Sequence, residues 1–254
     1  MSNRMGFIPS LFTVLNLFCG FMSIINADAQ NLEQASMFIL YAGLFDMFDG
    51  VVARFTGTSS RFGVELDSLA DLVSFGVAPS FILYKAFFYA HDGFGIALAS
   101  LIMIFGALRL ARFNAQLVGF DKAYFSGVPV PIPAVTVSSF FLFYYNKNFN
   151  LYTSEIFIYC MAIALPLLMV SKFKYDTTPK FNKREVKEHP VKTVIVLLSV
   201  ILIIVTKGEG LFAFCLFYIS TGIFRSTKNQ LKRLFGSKKN LSPEESERLK
   251  LKSN

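Results

Sequence analysis

Histidine and cysteine are scarce in this chain of 254 residues, which has two of the first and three of the second. Cys19, Cys160 and Cys215 all lie in apolar runs, and an odd number of such thiols argues against a disulfide framework, a zinc site or a nucleophilic thiol. His91 falls in a link between apolar segments and His189 in a basic loop, so histidine acid–base chemistry is not expected. No Gly-rich P-loop, HExxH or GxSxG pattern occurs, and neither an internal repeat nor a low-complexity segment is evident. Negative charge is the rarer sign, with 17 Asp and Glu against 25 Lys and Arg.

What the chain has in quantity is apolar sequence. It is 54% hydrophobic, carries 30 Phe and has a mean hydropathy of +0.50. Long apolar runs at that composition place it among polytopic membrane proteins of all-α class. The net charge of +8 does not point to nucleic acid, because the basic residues sit in loops between the runs. That is the pattern of a cytoplasmic face near anionic headgroups.

About eight transmembrane helices are expected, with both termini cytoplasmic. They fall near 7–26, 35–55, 64–90, 94–114, a fifth ending near 145, 152–170, 191–206 and 211–224. Gly76 and Pro79 should disturb the third. The fifth is led in by FSGVPVPIPA, 125–134, whose alternate prolines require an extended start. A transmembrane domain over 1–226 and a basic polar tail over 227–254 follow from this division.

One stretch breaks the apolar rule. Residues 46–71 read DMFDGVVARFTGTSSRFGVELDSLAD and place four carboxylates beside membrane-length apolar sequence, where charge is costly. Asp46 and Asp49 are three apart, Asp67 and Asp71 four apart, so on a helix each pair shares a face. Two acidic faces joined by a short Gly/Ser/Thr link can meet at the mouth of a helical hairpin. Converging carboxylates suit one or two hard divalent cations such as Mg²⁺. Arg109 and Arg112, in LRLARFN, end the fourth segment close to the same level. Cations held by carboxylates, with arginines nearby, suit transfer of a phosphate-linked group. An ion-coupled transporter is the competing reading, but no second acidic stretch echoes the first, as two related halves would require.

The residues Asp46, Asp49, Gly50, Ala53, Arg54, Gly63, Asp67 and Asp71 reproduce D-x2-D-G-x2-A-R-x8-G-x3-D-x3-D, and the chain therefore resembles the CDP-alcohol phosphotransferases. IPSLFTVLNLFCGF, SLADLVSFGVAPS, LRLARFN and FSGVPVPIPA are similar to one branch, the integral-membrane phosphatidylserine synthases of bacteria and archaea. The likeness covers roughly residues 7–145; the later spans match only in character.

The resemblance implies a six-helix core plus two C-terminal helices, in a homodimer at the cell membrane with its active site at the cytoplasmic face. It implies transfer of the phosphatidyl group from CDP-diacylglycerol to L-serine, with release of CMP. Asp46, Asp49, Asp67 and Asp71 would bind two divalent ions, Mg²⁺ or Mn²⁺, and Asp71 would also serve as general base. Gly50, Ala53 and Gly63 would line the nucleotide site and Arg54 would lie near the phosphates. Within the family the acceptor could instead be glycerol 3-phosphate, inositol phosphate or another alcohol. Arg109, Arg112 and Asn114 are the acceptor-side candidates.

Overall fold

The computed structural model describes residues 7–56, 61–116, 125–175, 198–199 and 201–237. Helices α1 (Phe7–Asp28) and α2 (Leu32–Thr56) form an antiparallel hairpin. The next rod is built of α3 (Arg61–Asp71), a π-helical turn (Leu72–Val77) and α4 (Ala78–Ala86). A 3₁₀ turn (Phe88–His91) leads into α5 (Asp92–Gln116), followed by α6 (Pro131–Phe143), α7 (Leu151–Val170) and α8 (Gly210–Ser237). Among the described residues the only strands are β1 (Phe125–Ser126) and β2 (Lys174–Tyr175), paired antiparallel with Phe125 opposite Tyr175.

The protein is thus all-α. Six helical stretches among the described residues are long and apolar enough to cross a membrane, and α6 is a shorter apolar helix. These seven correspond to seven of the eight expected spans. The expected span at 191–206 is described only at 198–199 and 201–206, where 198–199 and 201–205 are helical. The last helix runs thirteen residues past its expected end at 224, so the first part of the polar tail continues α8. The apolar stretch stops where expected, but helix propensity in KNQLKRL carries the backbone onward.

Why these rods pack as they do is clearest in α1, where the usual amphipathic pattern is inverted. Leu11, Val14, Phe18, Phe21 and Ile25 recur at helical spacing and are all about half exposed. The opposite face carries Thr13, Asn16, Ser23 and Ala27, all buried. In lipid the large apolar side chains lose nothing by facing outward. Small and polar side chains gain by facing in, where they find hydrogen-bond partners and let backbones approach closely.

Gly20 lies on that inner face. A Cβ there would collide with the Ser74 hydroxyl and sit 2.8 Å from the Ser74 Cα, so α1 and the π turn touch through bare backbone. The π turn falls at the expected disturbance. Pro79 has no N–H to donate and sits in the first turn of α4, where a missing donor costs least. The wider turn before it begins directly after Asp71 and buries Ser74, Phe75 and Gly76 against α1 and α5.

The far end of the bundle is tied by ion pairs and rings. Lys85 Nζ lies 3.0 Å from Asp28 Oδ1, and Lys147 Nζ 2.8 Å from Glu33 Oε1. A pair with at least one exposed partner contributes only about 0–1 kcal/mol, but together the two mark the end opposite the aspartates. Phe140, Phe149, Phe157 and Phe212 join α6, α7 and α8 there.

At the near end, FSGVPVPIPA is extended only as far as β1 and the residues after it, and helix α6 begins at Pro131. Gly127 takes φ +82°, a left-handed conformation that a side chain resists, and its N–H donates to the Phe173 carbonyl at 2.9 Å. Tyr175 stacks on Tyr218 of α8, their centroids 5.7 Å apart. Burial, with Tyr218 beside it, pushes the Tyr175 phenol up to about 12, so it stays protonated and donates to the Ile219 carbonyl at 3.4 Å.

Gly20→Ala should overpack the contact between α1 and the π turn and cost about 1–3 kcal/mol. The measurement is the apparent melting temperature in detergent; an unchanged value would show that the contact is not tight.

Candidate active site

Helices α2 and α3 each pack against α1, and between them they bring the acidic residues together. Oxygen atoms of Asp46, Asp67 and Asp71 all lie within 4.8 Å of one another, and all three residues are half-buried. The i, i+4 spacing keeps Asp67 and Asp71 on one face of α3, aimed at Asp46 across the hairpin.

Asp49 stands apart from this trio. It is 8% exposed and accepts a hydrogen bond from the Thr13 hydroxyl of α1. Three residues along a helix correspond to an offset of about 60° around its axis, enough to turn Asp46 toward α3 and Asp49 toward α1. Asp49 remains an electrostatic neighbour of both Asp46 and Asp67.

Two ionised carboxylates at such separations repel by about 3–4 kcal/mol at an effective dielectric of about 20. A divalent cation offsets that repulsion, and three acidic oxygens with a fourth carboxylate beside them form the hard-donor set that Mg²⁺ or Mn²⁺ prefers. The residues present therefore fit the metal that the sequence implies.

Behind the carboxylates stands a layer of neutral polar groups from α1. Asn16 is fully buried, and its Nδ2 donates to Asp71 Oδ1 at 3.2 Å. Its backbone carbonyl accepts from the Ser74 hydroxyl at 2.9 Å. From the sequence, an asparagine in an apolar helix, such as Asn16, is expected to hydrogen-bond a neighbouring helix, whereas Thr13 is passed over. The signal available was the TxxN spacing, which places two polar side chains on one face of a helix otherwise rich in Leu and Phe.

The remaining candidates divide. Gly50 is half-buried, and a Cβ added there would meet nothing within 4 Å among the described residues, which leaves the α2 backbone open to a ligand. Gly63 is half-buried near the start of α3. Ala53 and Arg54 belong to the last turn and a half of α2, but their side chains lie outside the described residues. Arg109 is half-buried and an electrostatic neighbour of Asp71, and its buried Nε has no hydrogen-bond partner among the described residues. Arg112 is exposed, so the two arginines do not share an environment. Asn114 Nδ2 donates to Ser68 Oγ at 2.9 Å and approaches Glu65 Oε2 at 3.4 Å, tying the end of α5 to α3.

Residues 6–170 match the family model described as CDP-alcohol phosphatidyltransferase. A protein of Helicobacter pylori strain 26695 named CDP-diacylglycerol–serine O-phosphatidyltransferase is 37% identical over 237 residues, 93% of this chain and 98% of that protein. The Bacillus subtilis protein of the same name is 36% identical over 70% of this chain and 93% of its own length. Archaetidylserine synthase of Methanothermobacter thermautotrophicus is 41% identical over 66% of this chain and 69% of its own. Among solved structures, phosphatidylinositol phosphate synthase of Mycobacterium tuberculosis, with CDP-DAG bound, superposes with a TM-score of 0.52. It covers 65% of this chain and 83% of that one, and at 18% identity the likeness is one of fold.

Asp67→Asn removes one of three charged donors, and Mn²⁺ affinity should fall about tenfold or more, a change of only ~1.4 kcal/mol. Titration of Mn²⁺ followed by electron paramagnetic resonance reads this directly. Unaltered affinity would take Asp67 out of the donor set.

Proposed function

This chain belongs to the CDP-alcohol phosphatidyltransferase family, and from that premise we propose that it transfers the phosphatidyl group of CDP-diacylglycerol to L-serine, giving phosphatidylserine and CMP. The observation that carries the reading is the convergence of Asp46, Asp67 and Asp71 at one end of two membrane-length helices. The serine assignment is supported by the names of the Helicobacter and Bacillus relatives.

The reaction is a displacement at phosphorus. The serine hydroxyl oxygen attacks the phosphorus that carries the diacylglycerol, and the bond from that phosphorus to the CMP oxygen breaks. The hydroxyl proton passes to a carboxylate, since an alcohol is a poor nucleophile at neutral pH. Asp71 is the group proposed for this role: it lies on α3 inside the acidic cluster, next to Asn16 and within the field of Arg109. Divalent ions, two by the family resemblance, would be held by Asp46, Asp49, Asp67 and Asp71, and when bound they neutralise the diphosphate and stabilise CMP as leaving group.

The other roles are assigned to this chain's own groups. Gly50 leaves the α2 backbone uncovered for the nucleotide, with Ala53 and Gly63 alongside. Arg54 complements the phosphate charge from the same helix. Arg109 is suited to the serine carboxylate, because its guanidinium is partly buried beside the base and its Nε has no hydrogen-bond partner among the described residues. Arg112 and Asn114 are assigned to the acceptor side with it, and Asn114 also braces α3.

The basic loops support a cytoplasmic active-site face and cytoplasmic termini. The family resemblance supports a homodimer. The family-matched region ends at 170, so α8 and the segment before it are additions to a six-helix core.

Asp71→Asn should lower CMP release by about 10²–10⁴-fold while CDP-diacylglycerol still binds; wild-type turnover would remove Asp71 from the base role. Arg54→Ala should weaken CDP-diacylglycerol binding in a titration, and equal affinity would count against its phosphate contact. The acceptor is tested by offering serine, glycerol 3-phosphate and inositol phosphate in parallel, with Mg²⁺ or Mn²⁺ present and then chelated. Serine should be the acceptor that drives metal-dependent CMP release. Release driven by another alcohol alone would overturn the assignment.

A further inference from the structure

Asn16 raises a question that the reaction as described does not answer. An asparagine in a membrane helix is expensive unless both ends of its amide are satisfied. Among the described residues only one end is. Nδ2 donates to Asp71 Oδ1 at 3.2 Å, whereas Oδ1 is buried with no hydrogen-bond partner among them. A buried unpaired carbonyl costs about 1–3 kcal/mol, and a leucine would fill a buried site in an apolar helix without that cost. Packing alone therefore does not account for the residue.

Its placement is over-determined. The Asn16 carbonyl is gripped by the Ser74 hydroxyl, and Gly20, one turn along α1, brings that helix into backbone contact with the same serine. Ser74 belongs to the π turn that starts directly after Asp71. The turn thus fixes two things at once: where Asp71 leaves α3 and how close α1 comes to it. Three residues earlier on the same face, Thr13 holds Asp49 by the same kind of contact.

We propose that Asn16 is a positioning residue for Asp71. Its amide engages one carboxylate oxygen, fixes the plane of the group and leaves the second oxygen turned to the acceptor hydroxyl. A neutral donor suits this task. A lysine or arginine at the same point would cancel the charge that a divalent cation needs, whereas an amide orients the carboxylate without neutralising it. Thr13 does the same for Asp49, so the inward face of α1 is the frame on which the acidic cluster is hung. The inference rests on the proposed role of Asp71 as base.

The test compares Asn16→Leu with Ser23→Ala, a change on the same buried face of α1 but remote from the carboxylates. Asn16→Leu should lower kcat for serine-dependent CMP release about 10–100-fold, with Kd for CDP-diacylglycerol and for Mn²⁺ held within about twofold. Its apparent melting temperature should equal or exceed that of the wild type, since an unpaired polar group is removed. Ser23→Ala should leave all four quantities unchanged. Unaltered kcat in Asn16→Leu would overturn the proposal, as would parallel losses of kcat, substrate affinity and melting temperature, which would mark a packing role. If the wild type releases CMP with a different acceptor, the serine reading fails and the same comparison on that acceptor still judges Asn16.

Discussion

Like charges held close in a poorly solvated place are the constraint on which this molecule turns. Oxygens of Asp46, Asp67 and Asp71 lie within 4.8 Å of one another at the end of helical stretches that are mostly apolar. Left to themselves, such groups would drive α2 and α3 apart. They stay together because the helices are clamped elsewhere: by α1 through small and polar side chains, and at the far end by Lys85–Asp28, Lys147–Glu33 and an aromatic cluster. Repulsion maintained by the scaffold is a form of preorganisation, since a cation arriving at the site would find acidic oxygens already assembled.

The π turn links scaffold to site. By absorbing Pro79 and Gly76 it allows one continuous rod, from Phe62 to Ala86, to carry acidic residues at one end and pack tightly in the middle. Single-turn π segments commonly occur where function demands a local departure from the α ladder. Here the departure places Ser74 against Asn16 and Gly20, so that α1, α3 and the turn are fixed with respect to one another.

Much of this was legible before any coordinates. The apolar runs give an all-α membrane bundle because lipid leaves helices as the economical way to satisfy the backbone. The acidic motif stands out because charge in such a setting needs a reason. Boundaries were less secure: α8 continues to Ser237 because helix propensity in its polar stretch outlasts the apolar signal. Arg109 and Arg112 are equivalent by spacing, yet one is half-buried beside Asp71 and the other exposed. Helical periodicity fixes the angle between two side chains, but only neighbouring helices decide which of them is covered.

Family, span composition and the set of carboxylates beside apolar sequence were determined by the order of the residues alone, because hydrophobic length and charge placement are local properties. Which carboxylates meet was decided by tertiary structure. Asp46 and Asp49 are near neighbours in sequence, yet α3 draws one into the cluster while Thr13 holds the other aside. The partnership of Asn16 with Asp71, 55 residues apart, depends likewise on how closely two rods approach, and that distance is set by a missing side chain at Gly20.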